Sequence, residues 1–315
     1  MLPSLAEPST ALAAADPVIE TEGLVKRYGR TTALDGLSMR VPRGEVFGFL
    51  GPNGAGKTTA VKLLVGLSAP TAGDGRVLGR PLGDVTARRA VGYLPELFRY
   101  QAWMSGRELL AFHCRLAGLP RAGHGAAIHD VLEIVGVSDR AQDRVGGYSK
   151  GMQQRLGLAA ALLGQPELVF LDEPTSALDP VGRMEMRPII RGLKERGTTV
   201  FLNSHLLTEV EQVCDRVAII DRGKVVALGT LEELLAEDEV LFRVGGLDEA
   251  GRALLARHGS VREEGEWLAV RGLAADRVPE VVAALVGGGA RVYAVEPRRE
   301  SLEERFSRLV GGGDG

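Results

Sequence analysis

One segment of the sequence reads Gly51-Pro52-Asn53-Gly54-Ala55-Gly56-Lys57-Thr58-Thr59. An apolar run at residues 46–50 precedes it, and residues 59–65 follow it with apolar side chains at helical spacing. Strand, glycine-rich turn and helix form the context in which Gly-x-x-x-x-Gly-Lys-Thr indicates a phosphate-binding loop. The alternative is a glycine-rich turn that matches the pattern by chance, and the flanking strand and helix argue against it.

The residue types in this segment suit a triphosphate. Backbone N–H groups converge on phosphate oxygens only where side chains are small. The small residues here are Gly51, Gly54, Ala55 and Gly56. We expect Lys57 to reach the β- and γ-phosphates and the Thr58 hydroxyl to bind Mg²⁺. The helix that follows presents the positive end of its dipole to the phosphates.

Length and composition describe an ordinary globular protein. The chain has 315 residues, of which 45% are hydrophobic and 25% charged, which fits one large domain and one smaller one. A formal net charge of −3 gives no reason to expect a nucleic-acid partner. Two cysteines, Cys114 and Cys214, supply neither a disulfide framework nor a metal cluster, so a reducing cytoplasm is the expected compartment.

The sequence contains no candidate membrane segment. No apolar run approaches the roughly 20 residues that span a bilayer. Residues 1–16 are rich in alanine, contain prolines and Glu7, and lack a basic region. We therefore expect a disordered N-terminal tail rather than a signal peptide.

Strands and helices alternate in residues 17–236. Apolar runs at residues 91–94, 168–171, 198–202 and 217–220 alternate with helical patterns at 181–195 and 206–213. This alternation predicts an α/β domain with a mainly parallel sheet covered by helices. Residues 97–165 predict a helical subdomain, in which Ser105-Gly-Arg-Glu108 is a capping box. Residues 69–75 are expected to form a loop, and Tyr28 is expected to lie in a turn.

Residues 237–315 predict a second domain. A capping box at Thr230-Leu-Glu-Glu233 opens a helix at the end of the first domain. The order that follows is strand, helix, strand, strand, helix, strand, which predicts a small α+β unit of the ferredoxin-like type. An amphipathic helix at residues 301–309 comes last.

Two carboxylates follow a buried strand. Asp172 and Glu173 come directly after the apolar residues 168–171, and ligands bind at the carboxyl ends of parallel strands. We expect Asp172 to bind Mg²⁺ and Glu173 to polarise an attacking water. His205 follows the next strand and is expected to bind a phosphate oxygen or that water. A surface Asp-Glu turn and a structural histidine are the alternatives.

A second anion site is expected at the start of another helix. Residues 148–155 read Tyr-Ser-Lys-Gly-Met-Gln-Gln-Arg. Ser149 supplies a hydroxyl, and Gly151 leaves the positive helix N-terminus open. An ordinary N-cap is the alternative interpretation of Ser149.

These motifs, in this order, resemble those of the nucleotide-binding subunit of ATP-binding-cassette (ABC) transporters. Residues 51–59 are similar to Walker A, residues 148–155 to the signature motif, and residues 168–173 to Walker B. Residues 176–179 resemble the D-loop, His205 resembles the switch histidine, and Tyr28 resembles the aromatic residue that stacks on adenine. The resemblance covers residues 18 to 235.

The resemblance implies a P-loop NTPase fold with an added antiparallel sheet and a helical subdomain. It implies an ATPase that uses ATP and Mg²⁺ and works as a head-to-tail homodimer with two ATP molecules at its interface. The residues that would reach the partner copy's ATP are Ser149, Lys150, Gly151, Met152 and Asp179. A separately encoded integral-membrane permease would be the other partner, with this subunit at the cytoplasmic face of the membrane. No nucleic-acid partner is implied.

Two motifs depart from the family pattern. Glu96 stands where the Q-loop has glutamine, and we expect it to contact Mg²⁺ or the nucleotide, although a carboxylate cannot donate an amide hydrogen bond. In the signature motif, Lys150 and Met152 replace a glycine and a glutamine, while Ser149 and Gly151 are kept. Both departures resemble the bacterial exporter branch that handles drugs, lipids and polysaccharides, as does the ending at residues 297–306.

Two other classes are the alternatives to a transporter. An ABC ATPase that acts on ribosomes would carry two cassettes, and one that acts on DNA would need a coiled-coil insertion between residues 59 and 149. A simple P-loop kinase would leave the signature motif and His205 unexplained. The transported substrate is selected in the membrane partner, so this sequence does not identify it.

Overall fold

The computed structural model describes residues 16–235, 238–299 and 301–311. The chain forms two compact units whose border lies between Leu228 and Gly229. Residues 1–15 of the predicted N-terminal tail lie outside the described residues. Each unit is described by itself below.

The first unit combines ten strands and seven α-helices among its described residues. The strands are β1 (Ile19–Tyr28), β2 (Thr31–Val41), β3 (Val46–Leu50), β4 (Ala72–Val77), β5 (Arg80–Pro81), β6 (Val91–Leu94), β7 (Leu168–Asp172), β8 (Thr199–Asn203), β9 (Arg216–Asp221) and β10 (Lys224–Thr230), the last of which runs across the border. The helices are α1 (Lys57–Leu64), α2 (Val85–Arg89), α3 (Gly106–Leu116), α4 (His124–Val135), α5 (Lys150–Leu162), α6 (Pro180–Glu195) and α7 (Leu207–Val213).

A six-stranded sheet forms the centre of this unit. Its strand order is β10-β9-β3-β8-β7-β6, and the pairs β9–β3, β3–β8, β8–β7 and β7–β6 are parallel. Every residue of β3, β7 and β8 is buried. Strands buried on both faces are continuous apolar runs rather than alternating ones, which is why residues 46–50 and 168–171 predict this sheet. The carboxyl ends of β3, β7 and β8 therefore meet at one edge.

Aromatic side chains pack the centre of the sheet. The ring of Phe201 lies 5.6 Å from that of Phe47, 5.3 Å from that of Phe49 and 5.0 Å from that of Phe170, measured between centroids. All four residues are fully buried. This packing fixes β3, β7 and β8 against one another, so the loops that leave their ends start from a rigid frame.

A second sheet, antiparallel in its pairings, has the order β2-β1-β4-β5. It corrects two predictions: Tyr28 ends β1 rather than lying in a turn, and the expected loop at residues 69–75 contains the start of β4. Gly73 explains the close pairing of β4 with β1. Its φ is +79°, and an added Cβ would lie 2.1 Å from the carbonyl oxygen of Gly23. Only glycine fits there.

Capped helices fill the segment between β6 and β7. The predicted capping box at the start of α3 is present, because Ser105 Oγ accepts from the Glu108 N–H and Glu108 accepts from the Ser105 N–H. Ser149 is the N-cap of α5, and its Oγ accepts a hydrogen bond from the N–H of Met152 at 3.2 Å.

The second unit continues with α8 (Leu231–Leu235), β11 (Asp238–Gly245), α9 (Glu249–His258), β12 (Ser260–Glu264), β13 (Trp267–Arg271), α10 (Val278–Gly287), β14 (Arg291–Arg299) and α11 (Leu302–Gly311). The predicted capping box at Thr230 and Glu233 is formed. From β11 to β14 the elements follow the predicted βαββαβ order. They form an antiparallel sheet with the order β12-β13-β11-β14, whose core includes Phe242, Leu255, Val270 and Leu285.

Candidate functional site

The glycine-rich segment connects the carboxyl end of β3 to the N-terminus of α1. Gly56 precedes α1 with a φ of +105°, and a Cβ there would lie 2.4 Å from the carbonyl oxygen of Ala33. No side chain caps the first turn of α1, so its N–H groups remain available to an anion. Lys57 Nζ donates to the carbonyl oxygens of Gly51 at 2.6 Å and Pro52 at 3.2 Å.

A cavity of about 400 Å³ lies at this segment. Its lining residues are Ala33, Pro52, Asn53, Gly54, Gly56, Lys57, Thr58, Thr59, Glu96, Glu173, Asn203 and His205. The structure thus brings the glycine-rich segment together with residues that follow β6, β7 and β8. The sequence predicts a set of residues that bind the nucleotide of their own copy. Most of these residues line this one cavity.

Glu173 and His205 form a pair on the cavity wall. His205 Nδ1 lies 2.8 Å from Glu173 Oε2. The φ of Glu173 is +53°, a left-handed conformation that is unfavourable for a glutamate and is often found at functional sites. The Glu173 N–H donates to the carbonyl oxygen of Asn203 at 2.8 Å, and Ser176 Oγ donates to the Glu173 carbonyl oxygen at 3.0 Å. These bonds hold the strained backbone.

Burial raises the pKa of the Glu173 carboxyl, and the hydrogen bond from His205 opposes this rise. A carboxylate with a raised pKa accepts a proton more readily than an exposed one. Burial also lowers the pKa of Lys57, while the charges of Glu173, Asp172 and Glu96 act in the opposite direction. The Asp172 and Glu173 carboxylates at the end of β7 and the Lys57 ammonium therefore influence one another electrostatically.

Asp172 is buried at the end of β7 and does not belong to the cavity lining. Asn203 Nδ2 donates to its Oδ1 at 2.5 Å, and Tyr93 Oη lies 3.5 Å from its Oδ2. Burial raises the pKa of Asp172, and the Asn203 hydrogen bond opposes that rise. Burial, with Asp172 nearby, also raises the pKa of Tyr93 to about 12, so Tyr93 remains a neutral donor at pH 7.

Several predicted site residues lie outside the cavity lining. They include the five residues predicted to reach the partner copy's ATP, which are Ser149, Lys150, Gly151, Met152 and Asp179. Asp179 is the exposed N-cap of α6 and accepts from the Gly182 N–H. Tyr28 is 49% exposed, with the Lys26 ammonium 5.0 Å from its ring centroid. Gly51 and Ala55 belong to the glycine-rich segment, and both are buried.

Asn203 lines the cavity and contacts Asp172, and it belongs to none of the motifs recognised in the sequence. The sequence signal that could have identified Asn203 is a polar residue at the end of a buried strand, shortly before His205. Its importance depends on the register of the sheet, because Asp172 pairs with Asn203 between β7 and β8. A strand pattern alone does not supply that register.

The comparisons with known proteins agree with the resemblance of the motifs to ABC transporter subunits. The sequence profile of the family described as "ABC transporter" matches residues 34–176. The chain is 39% identical to the daunorubicin resistance ATP-binding protein DrrA3 of Streptomyces coeruleorubidus, over 94% of this chain and 97% of the relative. It is 36% identical to the bacitracin transport ATP-binding protein BcrA of Bacillus licheniformis, over 94% of this chain and 98% of the relative.

A solved structure of the ATP-binding subunit of an ABC transporter is also similar. It is 30% identical with a TM-score of 0.62, over 70% of this chain and 92% of that one. The chain belongs to the family of ABC transporter ATP-binding proteins. It is therefore an ATP-binding subunit with the α/β P-loop fold, and its family hydrolyses ATP to power transport.

Nothing in these similarities favours an ABC ATPase that acts on ribosomes or DNA. Subunits of this family typically work with separate membrane permeases and associate peripherally with the membrane. Within residues 16–235, 238–299 and 301–311, no helix has the length and apolar character needed to cross a bilayer.

Proposed function

We propose that this subunit powers an exporter of drug-like or antibiotic molecules by hydrolysing Mg²⁺-bound ATP at the cavity beside the glycine-rich segment. The observation that carries the proposal is the Glu173–His205 pair, which faces the same cavity as Lys57 and Thr58. The export of such molecules is supported by relatives named for daunorubicin resistance and bacitracin transport, which match nearly the whole chain.

The oxygen ligands near the cavity fit Mg²⁺. Thr58, Glu96 and Asn203 line the cavity, and Asp172 is hydrogen-bonded to Asn203. The Asn203 Oδ1 is a buried oxygen with no hydrogen-bond partner among the described residues. Hard oxygen donors are the ligands that Mg²⁺ prefers. Thr58, Asp172 and Glu96 would hold the ion, which would neutralise charge on the β- and γ-phosphates.

The chain's own residues would perform the remaining steps. Lys57 would leave the carbonyl oxygens of Gly51 and Pro52 and bind the β- and γ-phosphates. Glu173 would accept a proton from water as its oxygen bonds to the γ-phosphorus. The bond from that phosphorus to the ADP oxygen would break, which gives ADP and phosphate. His205 would hold Glu173 in place and donate toward the γ-phosphate, and Tyr28 would stack on adenine.

A second copy of the chain would complete the site. Ser149, Lys150 and Asp179 are exposed at helix N-termini, and none of them lines the cavity of its own copy. In a head-to-tail homodimer, residues 149–152 and Asp179 would close over the partner's ATP, so two ATP molecules would lie at the interface. Size-exclusion chromatography of Glu173→Gln with ATP should then show a dimer. Ser149→Glu, which adds a negative charge near the partner's phosphates, should abolish that dimer.

The permease would contact the segment after β6, at the cytoplasmic face of the membrane. Leu97 is 86% exposed and Trp103 is 71% exposed, whereas Phe98 and Tyr100 are half-buried and their rings pack 4.9 Å apart. Aromatic side chains such as tryptophan are enriched at protein interfaces. Leu97 and Trp103 are therefore the proposed contacts, while Phe98 and Tyr100 pack within the subunit.

Co-purification tests the transporter partner. Tagged Glu173→Gln protein, expressed in its own host, is purified with ATP from mildly solubilised membranes, and its partners are identified by mass spectrometry. We expect a polytopic membrane protein in stoichiometric amount, and less of it with Trp103→Ser. Leu116→Ser, which changes another exposed apolar residue, is the matched control. Recovery with ribosomes, with DNA or alone would contradict the exporter proposal.

A further inference from the structure

Asn203 carries a buried oxygen that the described residues leave unsatisfied. The residue ends β8 and is 2% exposed. Its Oδ1 has no hydrogen-bond partner within residues 16–235, 238–299 and 301–311. A buried acceptor without a donor is costly and rare in folded proteins, and therefore requires an explanation. Because Asn203 also lines the cavity, a bound group there can supply the donor.

The other polar groups of Asn203 bind the Asp172 carboxylate and the backbone of Glu173. Nδ2 donates to Asp172 Oδ1 at 2.5 Å, and the backbone carbonyl oxygen accepts from the Glu173 N–H at 2.8 Å. An ionised carboxylate only accepts hydrogen bonds, so the amide must turn its nitrogen toward Asp172. Oδ1 then points away from Asp172, and the orientation of the amide is determined by its neighbour.

The missing donor is most simply a water molecule. Phosphate oxygens of ATP accept hydrogen bonds and cannot donate to Oδ1. Lys57 lines the same cavity, and its Nζ donates to the carbonyl oxygens of Gly51 and Pro52. Magnesium ions in nucleotide sites keep several of their waters, and such waters are strong donors.

We propose that Asn203 is a positioning residue for the magnesium ion of the ATP site. Its Nδ2 holds Asp172 in one orientation, and its Oδ1 accepts a hydrogen bond from a water bound to Mg²⁺. Groups that contact metal ligands in this way typically change metal affinity about 10- to 100-fold when they are replaced. This inference rests on the proposed binding of Mg²⁺-bound ATP at this cavity.

Nucleotide binding with and without metal tests the inference without hydrolysis. Full-length wild type and Asn203→Leu are titrated with a fluorescent, non-hydrolysable ATP analogue, first in EDTA and then over a range of Mg²⁺ concentrations. We expect the dissociation constant in EDTA to agree within about twofold, since Asn203 does not contact phosphate. The Mg²⁺ concentration at half-maximal effect should rise about 10-fold or more in the variant. Melting curves confirm folding.

Thr199→Val is the matched control. Thr199 is buried on the same strand, and its Oγ1 accepts from the Gly44 N–H at 2.9 Å, so this variant also loses one hydrogen bond of β8. Its Mg²⁺ dependence should equal that of the wild type. If Asn203→Leu does not fold, Asn203→Ser replaces it, and its half-maximal Mg²⁺ concentration should also rise.

Three results would overturn the inference. The first is a Mg²⁺ dependence of the Asn203 variant equal to that of the wild type. The second is binding that weakens equally in EDTA and in Mg²⁺, which is the result of a general distortion of the site. In both cases the proposed function survives. A wild type whose binding does not depend on Mg²⁺ would contradict the proposed function as well.

Discussion

His205 Nδ1 lies 2.8 Å from Glu173 Oε2, and the backbone of Glu173 has a φ of +53°. The strained residue is held by its N–H bond to the Asn203 carbonyl oxygen and by Ser176. Rigid placement of a buried carboxylate is what a general base requires, because the proton acceptor must lie within reach of the attacking water. The pair thus connects the ends of β7 and β8 at the cavity.

Glu173→Gln removes the proton acceptor and keeps the shape of the side chain. We expect turnover of ATP to fall about 10²- to 10⁴-fold, the usual contribution of a general base. Affinity for ATP should remain close to that of the wild type. A steady-state phosphate-release assay and equilibrium binding check both outcomes. Glu195→Gln, at the exposed end of α6, is the matched control, and near-native turnover in Glu173→Gln would remove Glu173 from this role.

Lys57→Ala should fail at an earlier step than Glu173→Gln. The Lys57 ammonium faces the cavity with the glycine-rich segment, and its charge is expected to bind the phosphates directly. Equilibrium titration with ATP should therefore show weakened binding, with Lys62→Ala, an exposed lysine of α1, unchanged. Normal affinity in Lys57→Ala would contradict the role given to the lysine.

His205→Ala should change the pH dependence of turnover. The hydrogen bond from His205 lowers the pKa of the Glu173 carboxyl against the rise caused by burial. Without His205 that pKa rises further, so the acidic limb of the profile of kcat/KM against pH should shift to higher pH. His129→Ala, an exposed histidine on α4, should leave the profile in place. A drop in rate with no shift would indicate that His205 acts on the phosphate alone.

The sequence predicts the centre of this fold better than its edges. Strands β3, β7 and β8 are continuous apolar runs that permit few other placements. By contrast, β4 contains Gly73 and Gly75, which have low strand propensity, and it forms because β1 supplies its partner. The role of Asn203 depends on the register between two strands that are distant in sequence. Local patterns do not contain that information.

Arg187 and Glu209 connect α6 to α7, the helix that follows His205. Arg187 Nε lies 2.9 Å from Glu209 Oε2, Arg187 Nη2 lies 2.8 Å from Oε1, and Glu209 is buried. Removal of one partner leaves the other charge poorly solvated, so Arg187→Met should lower the free energy of unfolding by about 1–3 kcal/mol at pH 7. Urea unfolding measures this difference. Arg196→Met, at the exposed C-terminal end of the same helix, is the control.

This destabilisation should depend on pH. The hydrogen bond from Arg187 lowers the pKa of Glu209 in the folded protein. Because the folded pKa lies below the unfolded value of about 4.3, the stabilisation is fully present above that value. It is lost as the pH falls through the folded pKa. The difference between wild type and Arg187→Met should therefore stay constant down to about pH 4.3 and shrink below it, and a difference that stays constant in acid would contradict the ion pair as its cause.

Gly73→Ala tests the close approach of β4 to β1. An alanine would adopt a φ of +79° and place its Cβ 2.1 Å from the Gly23 carbonyl oxygen, so β4 must shift or the backbone must strain. We expect a loss of about 1–3 kcal/mol in the free energy of unfolding. Gly192→Ala is the matched control, because an added Cβ there meets no atom within 4 Å, and alanine favours the helix by about 1 kcal/mol. ATP binds the first unit and therefore shifts the unfolding transition of that unit to higher urea concentration. This shift identifies the transition in which the two variants are compared. Equal stability of Gly73→Ala and the wild type would show that the β1–β4 pairing tolerates a side chain at this position.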